Sequence, residues 1–125
     1  LDALAGEPDD LTREALRYFT VCPDTRCVPR LLELVAEQKH SRWHGLVIRT
    51  LGYQKDDRAV ETLVNILKAD DKSPDKTSLR REAAMALVRM ATPQAVAVLK
   101  EAEESKDLAV RSAVEHARRS TGRKD

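Results

Sequence analysis

Leu79-Arg80-Arg81-Glu82-Ala83-Ala84-Met85-Ala86-Leu87-Val88-Arg89-Met90 is an Ala-rich stretch whose apolar residues fall at the three- and four-residue spacing of an amphipathic helix. Altered copies of it recur along the chain. Phe19, Leu51 and Leu87 end three such stretches, 32 and 36 residues apart. Eight residues before each stand Leu11, Trp43 and Leu79; four before stand Ala15, Val47 and Ala83; three before stand Leu16, Ile48 and Ala84. Nine residues after each comes the first Val of the next segment: Val28, Val60 and Val96. Candidate helix starts keep the same register. Asp9, Ser41 and Thr77 lie ten residues before the anchor, and Asp24, Asp56 and Thr92 lie five after. All six carry side-chain oxygens able to accept the free N–H groups of a helix start. Pro93 follows Thr92 at the first helical position, where its missing N–H costs nothing. Apolar and capping ladders that share one period define an internal repeat.

Seven helices follow from this ruler. Leu1 to Gly6 reads as the tail of an earlier helix with a glycine stop. Helices are then expected over about Asp10–Thr20, from Val28 to Gln38, from Ser41 with Gly52 near its end, and after Asp56 with Val60, Leu63, Ile66 and Leu67 inward. Asp70 to Ser78 is the most polar stretch and is expected as a loop. Leu79–Met90, a helix opening at Thr92-Pro93, and one opening at Asp107 with Val110, Ala113, Val114 and Ala117 inward complete the set. The tail from Ser120, residues 121–125 above all, is expected to fray. The expected architecture is all-α: an α-α superhelix of antiparallel pairs, three to four repeats with truncated ends, in one domain over residues 1–125. Because the chain opens on Leu1 and on half a repeat, it reads as a piece of a longer solenoid.

At 125 residues the chain can bury roughly two-thirds of its unfolded surface. Charged residues make up 34%, yet the net charge is only +1, so bulk charge gives no case for nucleic-acid or membrane attraction. No apolar run approaches the roughly 20 residues needed to span a bilayer.

Leu79-Arg80-Arg81-Glu82-Ala83-Ala84-Met85-Ala86-Leu87 resembles the second helix of HEAT-like repeats of the phycobilisome-lyase type, with an apolar residue, Arg, and then small residues ending in Ala-Leu. Val110-Arg111-Ser112-Ala113-Val114 is a weaker echo, in a register open by one residue. Leu11–Phe19 and Trp43–Gly52 keep the apolar pattern without the small residues, and Gly45 replaces the Arg or Ala expected there. The resemblance implies stacked helix pairs in a right-handed superhelix, with the second helices lining the concave surface. It also implies that Arg80 hydrogen-bonds between repeats. It carries no lyase chemistry over to any residue.

Few residues suggest a reactive site. Cys22 and Cys27 flank a short turn; their repeat equivalents, Met90 for Cys22 and Ala59 and Ala95 for Cys27, suggest buried thiols, with a disulfide as the alternative. His40 and His44 are four apart, but Ser41 between them is the expected cap and no third ligand completes a metal set. His116 reads as an ordinary helix histidine. Glu101, Glu103, Glu104, Asp70, Asp71 and Asp75 face no candidate nucleophile, and the four glycines form no phosphate loop. Neither a catalytic site, a metal nor a cofactor is expected.

Arginine carries what functional signal there is. Six and two residues before each anchor, pointing away from the apolar face, stand Arg13 and Arg17, Gly45 and Arg49, and Arg81 and Met85. Arg89 continues the line, and Arg111 and Arg119 extend it. The alternating helices carry Glu33, Glu37, Glu61, Glu101 and Glu104 instead, which makes the outer face acidic. Gly45 beside Tyr53 would notch the ridge. The plain alternative is a solvated helix face, since Arg is a good helix former. The functional expectation is a protein-interaction or scaffold module that binds another protein or a neighbouring domain, with an acidic segment paired to these arginines. Nucleic-acid binding is the competing class, disfavoured by balanced charge and few aromatics. A bilin-lyase-like role rests on the family's name alone.

Overall fold

The computed structural model describes residues 10–37, 42–69 and 74–121, with side chains from 12–37, 42–69 and 76–120. Seven α-helices follow one another: α1 Asp10–Val21, α2 Val28–Ala36, α3 His44–Gln54, α4 Val60–Leu67, α5 Pro74–Met90, α6 Pro93–Glu103 and α7 Leu108–Thr121. No strand occurs among the described residues. The fold is an all-α helical repeat.

The expected ladder is the core. Leu16, Phe19, Val47, Ile48, Leu51, Ala83, Ala84 and Leu87 are buried, as are Val28 and Val60 nine residues beyond their anchors. In α7 the buried set is Val110, Ala113, Val114 and Ala117, which fixes Ala117 as the fourth anchor, 30 residues after Leu87. Each odd helix packs on the next, and each even helix packs on the odd helix that follows it. Contacts link like positions of neighbouring odd helices. Gly52 lies against Ala86, Thr50 Oγ1 reaches Leu16 O at 3.5 Å, and Gln54 Nε2 donates to Phe19 O at 2.9 Å. These helices therefore run parallel. They pack continuously, whereas of the even helices only α4 and α6 approach closely. The outward faces of α1, α3, α5 and α7 therefore lie side by side along one layer, the layer that the resemblance implies to be the concave one.

Local chemistry sets the turns. Asp24 and Asp56 adopt extended backbone and accept the N–H groups of Arg26 and Arg58. Each caps a single 3-10 turn, Thr25–Cys27 or Asp57–Ala59, that leads into α2 or α4, so the cap acts one turn earlier than expected. Thr92 caps α6 directly, through Ala95 N, and the Asp107 carboxylate accepts Ala109 N at the start of α7. The turns are cross-linked from repeat to repeat: Arg58 donates to Thr25 O at 3.1 Å and Thr92 Oγ1 pairs with Asp57 Oδ1 at 2.6 Å.

Three expectations are corrected. The polar stretch is not a loop throughout, because α5 begins at Pro74 and Thr77 is an internal helical residue rather than a cap. Proline at a helix start needs no N–H partner, which lets the helix extend past Leu79 into polar sequence. Gly52 lies near the end of α3, as expected; the chain turns at Lys55, with φ 54, and α5 ends likewise before Ala91, with φ 51. The carbonyls that Arg80 binds belong to its own repeat, where bonds between repeats are expected. Its Nε donates to Leu67 O at 3.1 Å and its Nη2 to Ala69 O at 2.6 Å, which satisfies the free carbonyls that end α4. Cys22 is exposed although its equivalent Met90 is buried. Met90 lies in α5, which is packed by α3 on one side and α7 on the other, whereas α1 has only α3 beside it among the described helices. The expected helix tail at Leu1–Gly6, the caps Asp9 and Ser41, His40 and the tail beyond Thr121 lie outside the described residues. Ser120 and Thr121 are still helical.

Candidate interaction surface

The seven arginines singled out from sequence all lie on odd helices, six or two residues before an anchor or two after it. Arg13, Arg17, Arg49, Arg81, Arg111 and Arg119 are exposed and Arg89 is half-buried. Two are neutralised locally: Arg17 lies 3.8 Å from Glu14, and Arg49 pairs with Glu82 across the α3–α5 boundary at 2.8 Å. Two stack on rings. The Arg13 guanidinium sits 5.5 Å from the centroid of Trp43, and that of Arg89 sits 5.0 Å from Tyr53. Arg89 Nη1 is buried with no hydrogen-bond partner. Arg81, Arg111 and Arg119 have no carboxylate partner among the described residues.

Gly45 is open, with nothing within 4 Å of where a Cβ would stand. It does not form a notch with Tyr53, because eight helical residues separate the two by about 12 Å, and the Tyr53 ring is covered by Arg89. On the even helices Glu33, Glu61, Glu101 and Glu104 are exposed while Glu37 is half-buried.

No group of three or more His, Cys, Asp or Glu among the described residues could hold a metal ion. Both cysteines are free. Cys27 is buried, and loss of hydration of its thiolate pushes the thiol up to about 11, which makes it a poor nucleophile. His44 is buried, and its Nε2 lies 3.0 Å from Glu37 O; His116 is partly exposed beside Ser120. Glu101 lies 3.9 Å from Lys68 and Glu103 pairs with Arg118. The strongest carboxylate shifts serve the turns: a fork with Arg26 holds Asp24 at about 2, and Arg58 lowers Asp56 in the same way.

The burial of several polar residues is not read from the sequence. Seven residues before the first three anchors stand Thr12, His44 and Arg80, all buried, with Val110 in that place before the fourth. His44 and Arg80 bind carbonyls at the end of the preceding even helix. A polar residue at the same buried position in three repeats was the available signal. Thr50 and Gln54 had none, because their acceptors lie on α1. Gln54 also accepts Asp24 N at 2.7 Å.

These features define an all-α helical repeat with arginines spaced along the outward faces of its odd helices. A family model for HEAT repeats matches residues 28–119, and the chain belongs to that family. HEAT repeats generally mediate protein–protein interaction or scaffolding and are typically non-catalytic. The match is to HEAT repeats at large and does not single out the phycobilisome-lyase type. No curated protein matches the sequence. No helix among the described residues is long and apolar enough to cross a membrane.

Proposed function

We propose that the chain is a protein-interaction module whose concave arginine face captures an acidic segment of another protein or of a neighbouring domain. One observation carries this: five of the seven guanidiniums on the odd helices, those of Arg13, Arg81, Arg89, Arg111 and Arg119, have no carboxylate partner among the described residues. Guanidinium groups bind carboxylates through two parallel N–H donors, so unpaired arginines spaced along neighbouring rungs suit an extended acidic chain. Nucleic acid fits less well. Trp43 is buried and Tyr53 is covered by Arg89, which leaves few rings for bases to stack on.

Fluorescence anisotropy with a labelled Glu- and Asp-rich peptide, at several salt concentrations, tests the proposal. Arg81→Glu with Arg111→Glu should weaken binding by about tenfold or more. Charge reversal of Lys68 and Lys100 on the even helices should leave it unchanged. Equal loss from both pairs, or tighter binding of single-stranded DNA or RNA than of the peptide, refutes the assignment.

A further inference from the structure

The repeats differ at one packing position in a way that leaves a socket on this face. Eight residues before the anchor, α3 carries Trp43, α5 carries Leu79 and α7 carries Ala109. Leu79 packs against the core yet lines a cavity of about 380 Å³ with His44, Ile66 and Lys76 and no arginine, whereas Trp43, 5% exposed, fills the gap between its own helix and the odd helix before it. Ala109 cannot. Between α5 and α7 there is instead a cavity of about 260 Å³, lined by Thr77, Arg80, Arg81, Ala109, Ser112 and Ala113. It is no deformation of the stack, since Ala113, Val114 and Ala117 on the same helix are buried as their equivalents are. The space comes from the missing side chain.

The residue above the cavity identifies the occupant. Arg81 stands in the register position of Arg13, whose guanidinium lies over the Trp43 ring at 5.5 Å. Arg81 has the same position and no ring beneath it. Its walls are the small side chains of Ala109 and Ala113 with the hydroxyls of Thr77 and Ser112, neither of which has a partner among the described residues. Arg80 in the floor is already committed to two carbonyls. In the α3–α5 boundary the corresponding places hold Gly45 and Glu82, with Glu82 gripping Arg49, so the combination of void and free guanidinium is confined to α5–α7.

The geometry points to an aromatic side chain of the partner entering this cavity beneath Arg81, as Trp43 lies beneath Arg13. The ring replaces a core residue the repeat lacks, and the guanidinium above it adds a cation–π contact. This deepens the acid-capture proposal and rests on it only for the charge of the rest of the partner segment. The socket itself stands on packing.

Indole is the direct probe, followed by amide NMR. The expected result is saturable shifts concentrated at Thr77, Ser112 and Ala113, abolished by Ala109→Trp and by the smaller filler Ala109→Leu. Either filler should also raise the melting temperature, as Trp43 consolidates its own boundary. Shifts absent from those amides, or surviving in Ala109→Leu, overturn the socket. Two acidic peptides, alike except for one Trp in place of Ala, separate this inference from the broader one. On the wild type the Trp peptide should bind about tenfold tighter, and on Ala109→Leu the two should bind alike. Equal binding on the wild type refutes the socket and leaves acid capture standing. If neither peptide binds while indole still enters, acid capture fails and the socket stands.

Discussion

Gly52 and Gly45 share helix α3, and the same substitution should have opposite signs at the two. On helix propensity alone, Gly→Ala stabilises by up to about 1 kcal/mol. At Gly45 nothing lies within 4 Å of a new Cβ, so Gly45→Ala should gain roughly 0.5–1 kcal/mol. At Gly52 the Cβ would stand 2.7 Å from Ala86 Cα, 2.9 Å from Ala86 Cβ and 3.2 Å from Ala86 O. Carbon atoms in contact sit about 3.5–4.0 Å apart, so α3 and α5 must separate by nearly 1 Å. No side-chain rotation relieves a clash with backbone. Overpacking of this kind costs about 1–3 kcal/mol, and separation also loosens the contacts of Ile48 and Leu87 nearby. The clash exceeds the propensity gain, and Gly52→Ala should lose about 1–2 kcal/mol net. Adding Ala86→Gly removes the Cβ conflict but not the one with Cα, so it should rescue only part of the loss. Urea denaturation followed by far-UV circular dichroism and by the fluorescence of Trp43, the single tryptophan, measures all three. A Gly52→Ala protein as stable as the wild type, or more so, would refute the close helix approach.

Further tests address other parts of the stack. Arg80→Met keeps the buried stem but strips both hydrogen bonds from the end of α4, and should cost about 2–4 kcal/mol in the same assay; Arg80→Lys should recover little, since a single ammonium does not match two carbonyls held by a planar fork. With a thiol-specific disulfide reagent, Cys22 should react in the folded protein and Cys27 only after denaturation, so two native equivalents would contradict the burial. Asp24 and Asp56 titrate below the ordinary carboxylate value of 3.8 when folded, so their contribution is present above that value and is lost as pH falls, for Asp24 through about 2. The destabilisation caused by Asp24→Asn should therefore shrink between pH 4 and pH 2, and a constant penalty across that range would show that the fork with Arg26 is not what holds the turn.

The sequence by itself determined the repeat and nearly all of the core. Burial follows a period of about 3.6 along each helix, and the same period set against fixed anchors places Leu16, Ile48 and Ala84 on one inward line, which Val114 joins once burial fixes the register of α7. Caps are equally local, and the Asp24, Asp56 and Thr92 starts needed only their neighbours, apart from the 3-10 turns that precede α2 and α4. What the chain could not reveal are quantities that depend on two repeats at once. Whether a glycine is a helix stop or a point of contact depends on the facing residue, and at Gly52 that residue is Ala86. Whether an arginine is free depends on a carboxylate about 33 positions away, which exists for Arg49 in Glu82 and not for Arg81 among the described residues. Arg80, one position earlier, turns inward to the end of α4 because helix geometry sends successive side chains about 100° apart. The α5–α7 cavity belongs to the same class. Its cause, alanine at position 109, is plain in the sequence, but only the parallel stacking of odd helices makes that alanine face Arg81 across an unfilled space.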